Sequence, residues 1–215
     1  MKSLWPVLFL LVGCDAGDVR RTYYAGGQPW SEVRFDQGLP EGTWTTWYEN
    51  GQKKSEGNYA GGRRSGLWTT WFEDGRLHSR GRFLEGEPDG DWEYHFANGR
   101  LASQGAYVAG RLQGVWREYF DTGILRSEAG FDHGRQDGIV MRFWPNGKAR
   151  DEVTYEQGVR EGACRQWLED GKPLLEGAYR GGQQHGKWTV WRRDGSVNER
   201  LSGNFVAGRR IEETE

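Results

Sequence analysis

A glycine returns every 24 residues along this chain, at Gly42, Gly66, Gly90, Gly114, Gly138, Gly162 and Gly186. A fixed period of that length marks a repeat array, and it overrides the one or two globular domains that 215 residues would otherwise suggest. The copy from Gly42 to Gly66 shows what the unit is. Asn50 and Gly51 stand between two runs rich in Thr, Trp and Tyr, and Gly26-Gly27, Asp74-Gly75, Asn98-Gly99, Thr122-Gly123, Asn146-Gly147, Asp170-Gly171 and Asp194-Gly195 hold the same place. This is the pattern of a β-hairpin with a two-residue turn, whose central residues both want positive φ. With Asn50-Gly51 as that turn, Glu49 faces Gln52, Trp44 faces Gly57 and Gly42 faces Tyr59, so large rings are expected over glycines. Alternation then puts Trp44, Tyr48 and Tyr59 on one face, and Thr43, Thr45, Trp47, Lys54 and Glu56 on the other.

The ring positions hold from copy to copy. Trp44 is followed by Trp68, Trp92, Trp116, Val140, Cys164 and Trp188; Tyr59 by Phe83, Tyr107, Phe131, Tyr155 and Tyr179. Tyr48 is followed by Phe72, Phe96, Phe120, Trp144, Leu168 and Arg192. A single hairpin is marginal in water, so stability must come from contacts between adjacent copies. The expected fold is all-β: an elongated antiparallel sheet of about eight stacked 24-residue hairpin repeats, an open solenoid-like array. Segments such as Gly38 to Gly42 and Gly62 to Gly66 read as glycine-bounded, solvent-facing loops between hairpins. Arg20 at the first Trp position and Arg192 at an aromatic one read as polar terminal copies that stop the ends from associating. Most of the 34 glycines fall in repeat positions, so their abundance means turns and not disorder.

The run Tyr59-x-x-Gly62-x-x-x-Gly66-x-Trp68-x-x-Trp71-x-x-Asp74-Gly75 resembles the MORN repeat, and more closely its bacterial variant class. The eukaryotic form spaces its aromatic and glycine more tightly. The resemblance implies extended antiparallel sheets of successive hairpins that act as scaffolds for partners. It also implies a second class of function, since bacterial relatives carry an antitoxin label: neutralisation of a cognate toxin as an antitoxin or immunity protein.

The first 14 residues stand outside the repeat. Lys2 precedes an apolar run from Leu4 to Val12, too short to span a bilayer as a helix, which reads as a secretory signal. Its end, Leu11-Val12-Gly13-Cys14, resembles the bacterial lipobox, after which Cys14 would be the lipid-bearing first residue of the mature chain. The alternative is an ordinary secretory signal with a chance cysteine. Asp15 resembles an inner-membrane retention residue of enteric bacteria, and the choice of membrane stays open. The expected organisation is a lipoprotein signal peptide at 1–13, an acylated tether at 14–17, the repeat array at 18–209 and a charged tail at 210–215. The location that follows is the bacterial cell envelope, membrane-anchored.

With a net charge of −2 and both signs interspersed, the chain lacks the footprint of a nucleic-acid binder. The four histidines fall in four different repeat positions and Cys164 is isolated, so no metal site, cofactor or catalytic group is expected. One ring column has no core role: Trp47, Trp71, His95, Tyr119, Phe143, Trp167 and Trp191 lie on the face opposite Trp44. Either they supply the apolar cover that a single sheet needs on its second face, or Trp47, Trp71, Tyr119, Phe143, Trp167 and Trp191 form a ladder for a partner. The expected function is therefore a non-catalytic, lipid-anchored envelope scaffold that binds a protein partner through its sheet. Toxin neutralisation and envelope-glycan binding are the alternatives.

Overall fold

The structure, a computed structural model, describes residues 17–211. The proposed signal and Cys14 lie outside the described residues. Those residues form 17 strands assigned to one open antiparallel sheet, with no helix among them. The chain divides into two compact units, one running to Leu101 with Tyr107–Arg111, the other comprising Ala102–Ala106 and Leu112 onward.

In the first unit, β1 (Asp18–Tyr23), β2 (Pro29–Asp36), β3 (Leu39–Trp47) and β4 (Lys53–Ala60) are followed by β5 (Arg63–Trp71), β6 (Leu77–Leu84) and β7 (Glu87–His95). Each pairs antiparallel with the next. The division runs through β8 (Leu101–Val108) and β9 (Arg111–Tyr119). The second unit continues with β10 (Leu125–Asp132), β11 (Arg135–Phe143), β12 (Ala149–Glu156) and β13 (Val159–Trp167). It ends with β14 (Pro173–Arg180), β15 (Gln183–Val190), β16 (Gly203–Val206) and β17 (Arg209–Ile211).

Two kinds of turn alternate, and they reverse the assignment made from sequence. At Asn50-Gly51 only the glycine has positive φ, at 84°. Tyr48 and Gln52 close a three-residue loop, with the Gly51 N–H donated to the Tyr48 carbonyl at 2.9 Å and the Asn50 side chain accepting from the Gln52 N–H at 2.9 Å. Trp47 consequently pairs with Lys53, and the ladder slips by one residue before resuming at Thr46–Ser55, Trp44–Gly57 and Gly42–Tyr59 as expected. The slip changes parity, so Lys54 sits on the ring face with its Nζ 5.4 Å from the Tyr48 ring, not on the opposite face.

The segments read as loops are strands. Gln37 and Gly38, with φ of 47° and 83°, make the tight two-residue turn expected at the other end, and Leu39 already pairs with Asp36. The same pair of positive angles recurs at Gly61-Gly62, Glu85-Gly86, Ala109-Gly110, His133-Gly134, Gln157-Gly158, Gly181-Gly182 and Ala207-Gly208. These turns bond to one another. The Gly62 N–H donates to the Pro40 carbonyl at 3.1 Å, Gly86 to Arg64 at 2.9 Å, and Gly158 to Gln136 at 2.7 Å. A side chain just before the repeat glycine caps the following turn, as Glu41 does for the Gly61 N–H, Asp137 for Gln157 and Glu161 for Gly181. Their contents are therefore not free to vary, because an acceptor there completes the next copy.

The leading glycine is a bulge. Val33 pairs with Trp44 but Arg34 pairs with Glu41, so Gly42, at φ 74°, and Thr43 are extra on β3. The same bulge in β5 sends Trp68 back over the preceding strand. Its indole lies on Gly57, where a Cβ would come within 2.2 Å of the ring, and its Nε1 donates to the Asn58 carbonyl at 3.1 Å. Trp92 over Gly81 and Trp188 over Gly177 repeat this. The ring on Gly57 is thus the one from the next hairpin and not its ladder partner Trp44, which makes the ring-on-glycine contact an interface between copies. Tyr59 and Phe83 flank Trp68 edge-on at centroid distances of 5.4 and 5.9 Å. At the N-terminal end Arg20 lies 4.1 Å over the Phe35 ring, covering it with a charged group where later copies place an indole.

Candidate interaction surface

The face opposite the indoles carries two rows, and within each unit their order follows from the ladder register. Trp47 and Trp71 in the first unit pair across strands with Lys53 and Leu77. Tyr119, Phe143 and Trp167 in the second pair with Leu125, Ala149 and Pro173, and Trp191 makes an isolated bridge with Val197. All six rings are half-buried. The first five stand where the ladder slips by one residue, at the end of the strand nearest the three-residue turn, and Trp191 follows the end of β15. Their backbones are held from the neighbouring copy: the Tyr24 hydroxyl donates to the Trp47 carbonyl at 2.9 Å, the Tyr48 hydroxyl to Trp71 at 2.8 Å, and the Trp144 Nε1 to Trp167 at 3.1 Å. His95 occupies the same column, and its Nδ1 is buried without a hydrogen-bond partner.

The aliphatic partners were missed in the sequence, although Leu77, Leu101, Leu125, Ala149, Pro173 and Val197 recur at the repeat spacing. Together with the rings they make a mixed aromatic and aliphatic row within each unit, interrupted in the first by Lys53.

Beside it runs a row of charges. In the first unit Arg21 pairs with Glu32 at 2.6 Å and Arg80 with Glu93 at 2.8 Å; in the second, Arg117 pairs with Glu128 at 2.6 Å and Arg165 with Glu152 at 3.2 Å. These pairs contribute little to stability individually, but they leave the row with both signs interspersed along it. The Gln104 amide, part of the same row, donates to the Tyr119 hydroxyl at 3.2 Å.

On the ring face a hydroxyl row runs through the first unit, with Thr22–Ser31, Thr46–Ser55 and Thr70–Ser79 each at 2.6 Å. In the second unit the same positions hold Ser127, whose hydroxyl donates to Glu118 at 3.0 Å, and then Arg142 and Asp151, at 2.8 Å, with Arg150 on the other carboxylate oxygen, also at 2.8 Å. Cys164 lies beneath, buried, and burial pushes its thiol pKa up. Among the described residues no three of His, Cys, Asp or Glu gather as metal ligands.

Comparison with known proteins gives a family match at two places: the family described as MORN repeat variant matches residues 40–60 and 112–133. A solved structure described as "Crystal Structure of TcdB2-TccC3-Cdc42" aligns with 80% of this chain at 10% identity and a TM-score of 0.19. The chain spans 13% of the length of that solved chain. No curated protein matches it.

Proposed function

We propose that the protein is a non-catalytic scaffold that binds a protein partner through the rings Trp47 and Trp71 of the first unit and Tyr119, Phe143, Trp167 and Trp191 of the second, and that it is tethered to the bacterial envelope through lipidated Cys14. The observation that carries the first half is the row itself. Half-exposed rings alternate with aliphatic side chains, and neighbouring copies fix their backbones, so little order is lost when a partner docks. The adjoining charges carry both signs, which suits an apolar polypeptide segment with polar flanks and disfavours a polyanion. The family match at two segments supports a repeat scaffold, and the apolar run ending at Cys14 supports the tether.

The test is crosslinking in intact cells, comparing the native chain with Trp71→Ser and Trp167→Ser combined. Loss of one defined crosslinked protein, with the sheet signal retained in circular dichroism, is the expected outcome. Unchanged crosslinking overturns the surface, and retention on purified cell wall without any protein would transfer it to glycan. For the tether, incorporation of labelled palmitate should disappear in Cys14→Ser.

A further inference from the structure

The second unit has a recess of about 330 Å³ on its ring face, lined by Arg142, Arg150, Asp151, Arg160, Cys164 and Tyr179 among others. Its origin is a set of joint departures from the repeat. Val140 and Cys164 replace two successive tryptophans, Asp151 replaces a serine, and Arg142 stands where the first unit has Thr46 and Thr70. Val153 stands where Gly57 and Gly81 receive an indole, and with Cys164 it lines the recess in place of the Trp68 ring.

The neighbours of that space are those of an indole. Trp68 lies between Tyr59 and Phe83 with the Arg64 guanidinium 4.7 Å over its ring and 5.2 Å over Phe83. Tyr155, Tyr179 and Arg160 hold the corresponding repeat positions. Arg160 lies 5.2 Å over the Tyr179 ring, donates to its hydroxyl at 3.3 Å, and has a thiol where Arg64 has an indole. At the same recess Arg142 and Arg150 share the single carboxylate of Asp151, whose side chain is only 8% exposed. Three guanidinium groups and one carboxylate therefore line the recess, two of the guanidinium groups paired with Asp151 and the third, Arg160, held by Tyr179, an excess of two positive charges.

We propose that this recess binds a small aromatic carboxylate, its flat ring taking the missing indole's place beside Arg160 and its carboxylate facing Arg142 and Arg150. Guanidinium forks match a planar carboxylate, and a ring beneath a guanidinium gains from cation–π attraction. Trp167 of the ring row also borders this recess, but the groups that carry the site, Arg142, Arg150 and Arg160, are not members of that row.

The test is isothermal titration calorimetry of the protein with indole-3-acetate, indole and tryptamine. Indole-3-acetate should bind at least tenfold more tightly than either of the others; equal binding of the three, or none, overturns the site. Two variants built from the repeat's own residues check its location. Arg150→Leu with Arg160→Gln installs the residues of the following copy, Leu174 and Gln184, and keeps the Arg142–Asp151 pair. Val153→Gly with Cys164→Trp rebuilds the ring-on-glycine contact and fills the recess. Each should weaken indole-3-acetate at least tenfold while leaving the thermal midpoint at or above that of the native chain. Undiminished binding in either folded variant overturns the assignment, and the three-ligand comparison on the native protein decides it if a variant fails to fold.

Discussion

Gly57 is the residue on which the contact between copies turns. A methyl group there would enter the Trp68 ring at 2.2 Å, and the indole cannot withdraw without giving up its bond to the Asn58 carbonyl. Gly57→Ala should therefore destabilise the protein by about 1–3 kcal/mol in denaturant titration, and adding Trp68→Leu should recover part of the loss. At Val153 and Cys164 both sides of the contact are of middling size, so the indole and its glycine have been exchanged together. Burial raises the Cys164 pKa and keeps the thiolate scarce, so iodoacetamide should label it slowly in the native protein and rapidly in denaturant. Fast labelling of the native chain would mean that the strand opens locally.

At the scale of the hairpin, the two turns divide the labour. The tight turn needs positive φ at both central residues, so Gly158→Ala, at φ 88°, should cost roughly 1–2 kcal/mol in the same titration. The turns are also linked by side chains whose protonation matters. Asp132 accepts from the Gln157 and Gln113 amides and from His133, and these bonds hold its carboxyl below the usual carboxylate range. A depressed folded-state pKa stabilises fully above the unfolded value of about 3.9 and is lost as pH falls through the folded one. The thermal midpoint should thus fall on acidification below about pH 4, and less steeply in Asp132→Asn. Much of the hairpin was legible in advance: the partners Trp44–Gly57 and Gly42–Tyr59 follow from centring it on Asn50-Gly51, and the one-residue slip beside the three-residue loop restores that register. The turn types were not, because Asn-Gly satisfies either a two-residue or a three-residue loop. Thr122, in the Asn50 position, was the available signal, since a β-branched residue resists positive φ. The tight turns went unseen because Gln37, Glu85, Ala109, His133 and Gln157 adopt positive φ without the Asn or Asp that marks such positions. The ring row was visible through its period, whereas the recess arises from the absence of two rings, which only packing reveals.

For the molecule as a whole, interfaces that join successive copies predict that one copy can be removed. Deleting residues 63–86, which carry β5 and β6, brings Glu87 into the place of Arg63 after the turn glycine Gly62. Unfolding should stay cooperative, with a denaturant slope lower by about one eighth; loss of the sheet signal would show that individual copies are not interchangeable. The bonds that join copies also run in opposite senses at the two kinds of turn. At the tight turns the later copy donates backward, Gly62 to Pro40 and Gly86 to Arg64. At the three-residue turns the earlier copy donates forward, Tyr48 to Trp71 and Asn50 to Glu73. A chain emerging from the ribosome can therefore fasten one margin of each hairpin as soon as it is made, while the other waits for the next hairpin to arrive, so the nascent end always trails one half-secured turn.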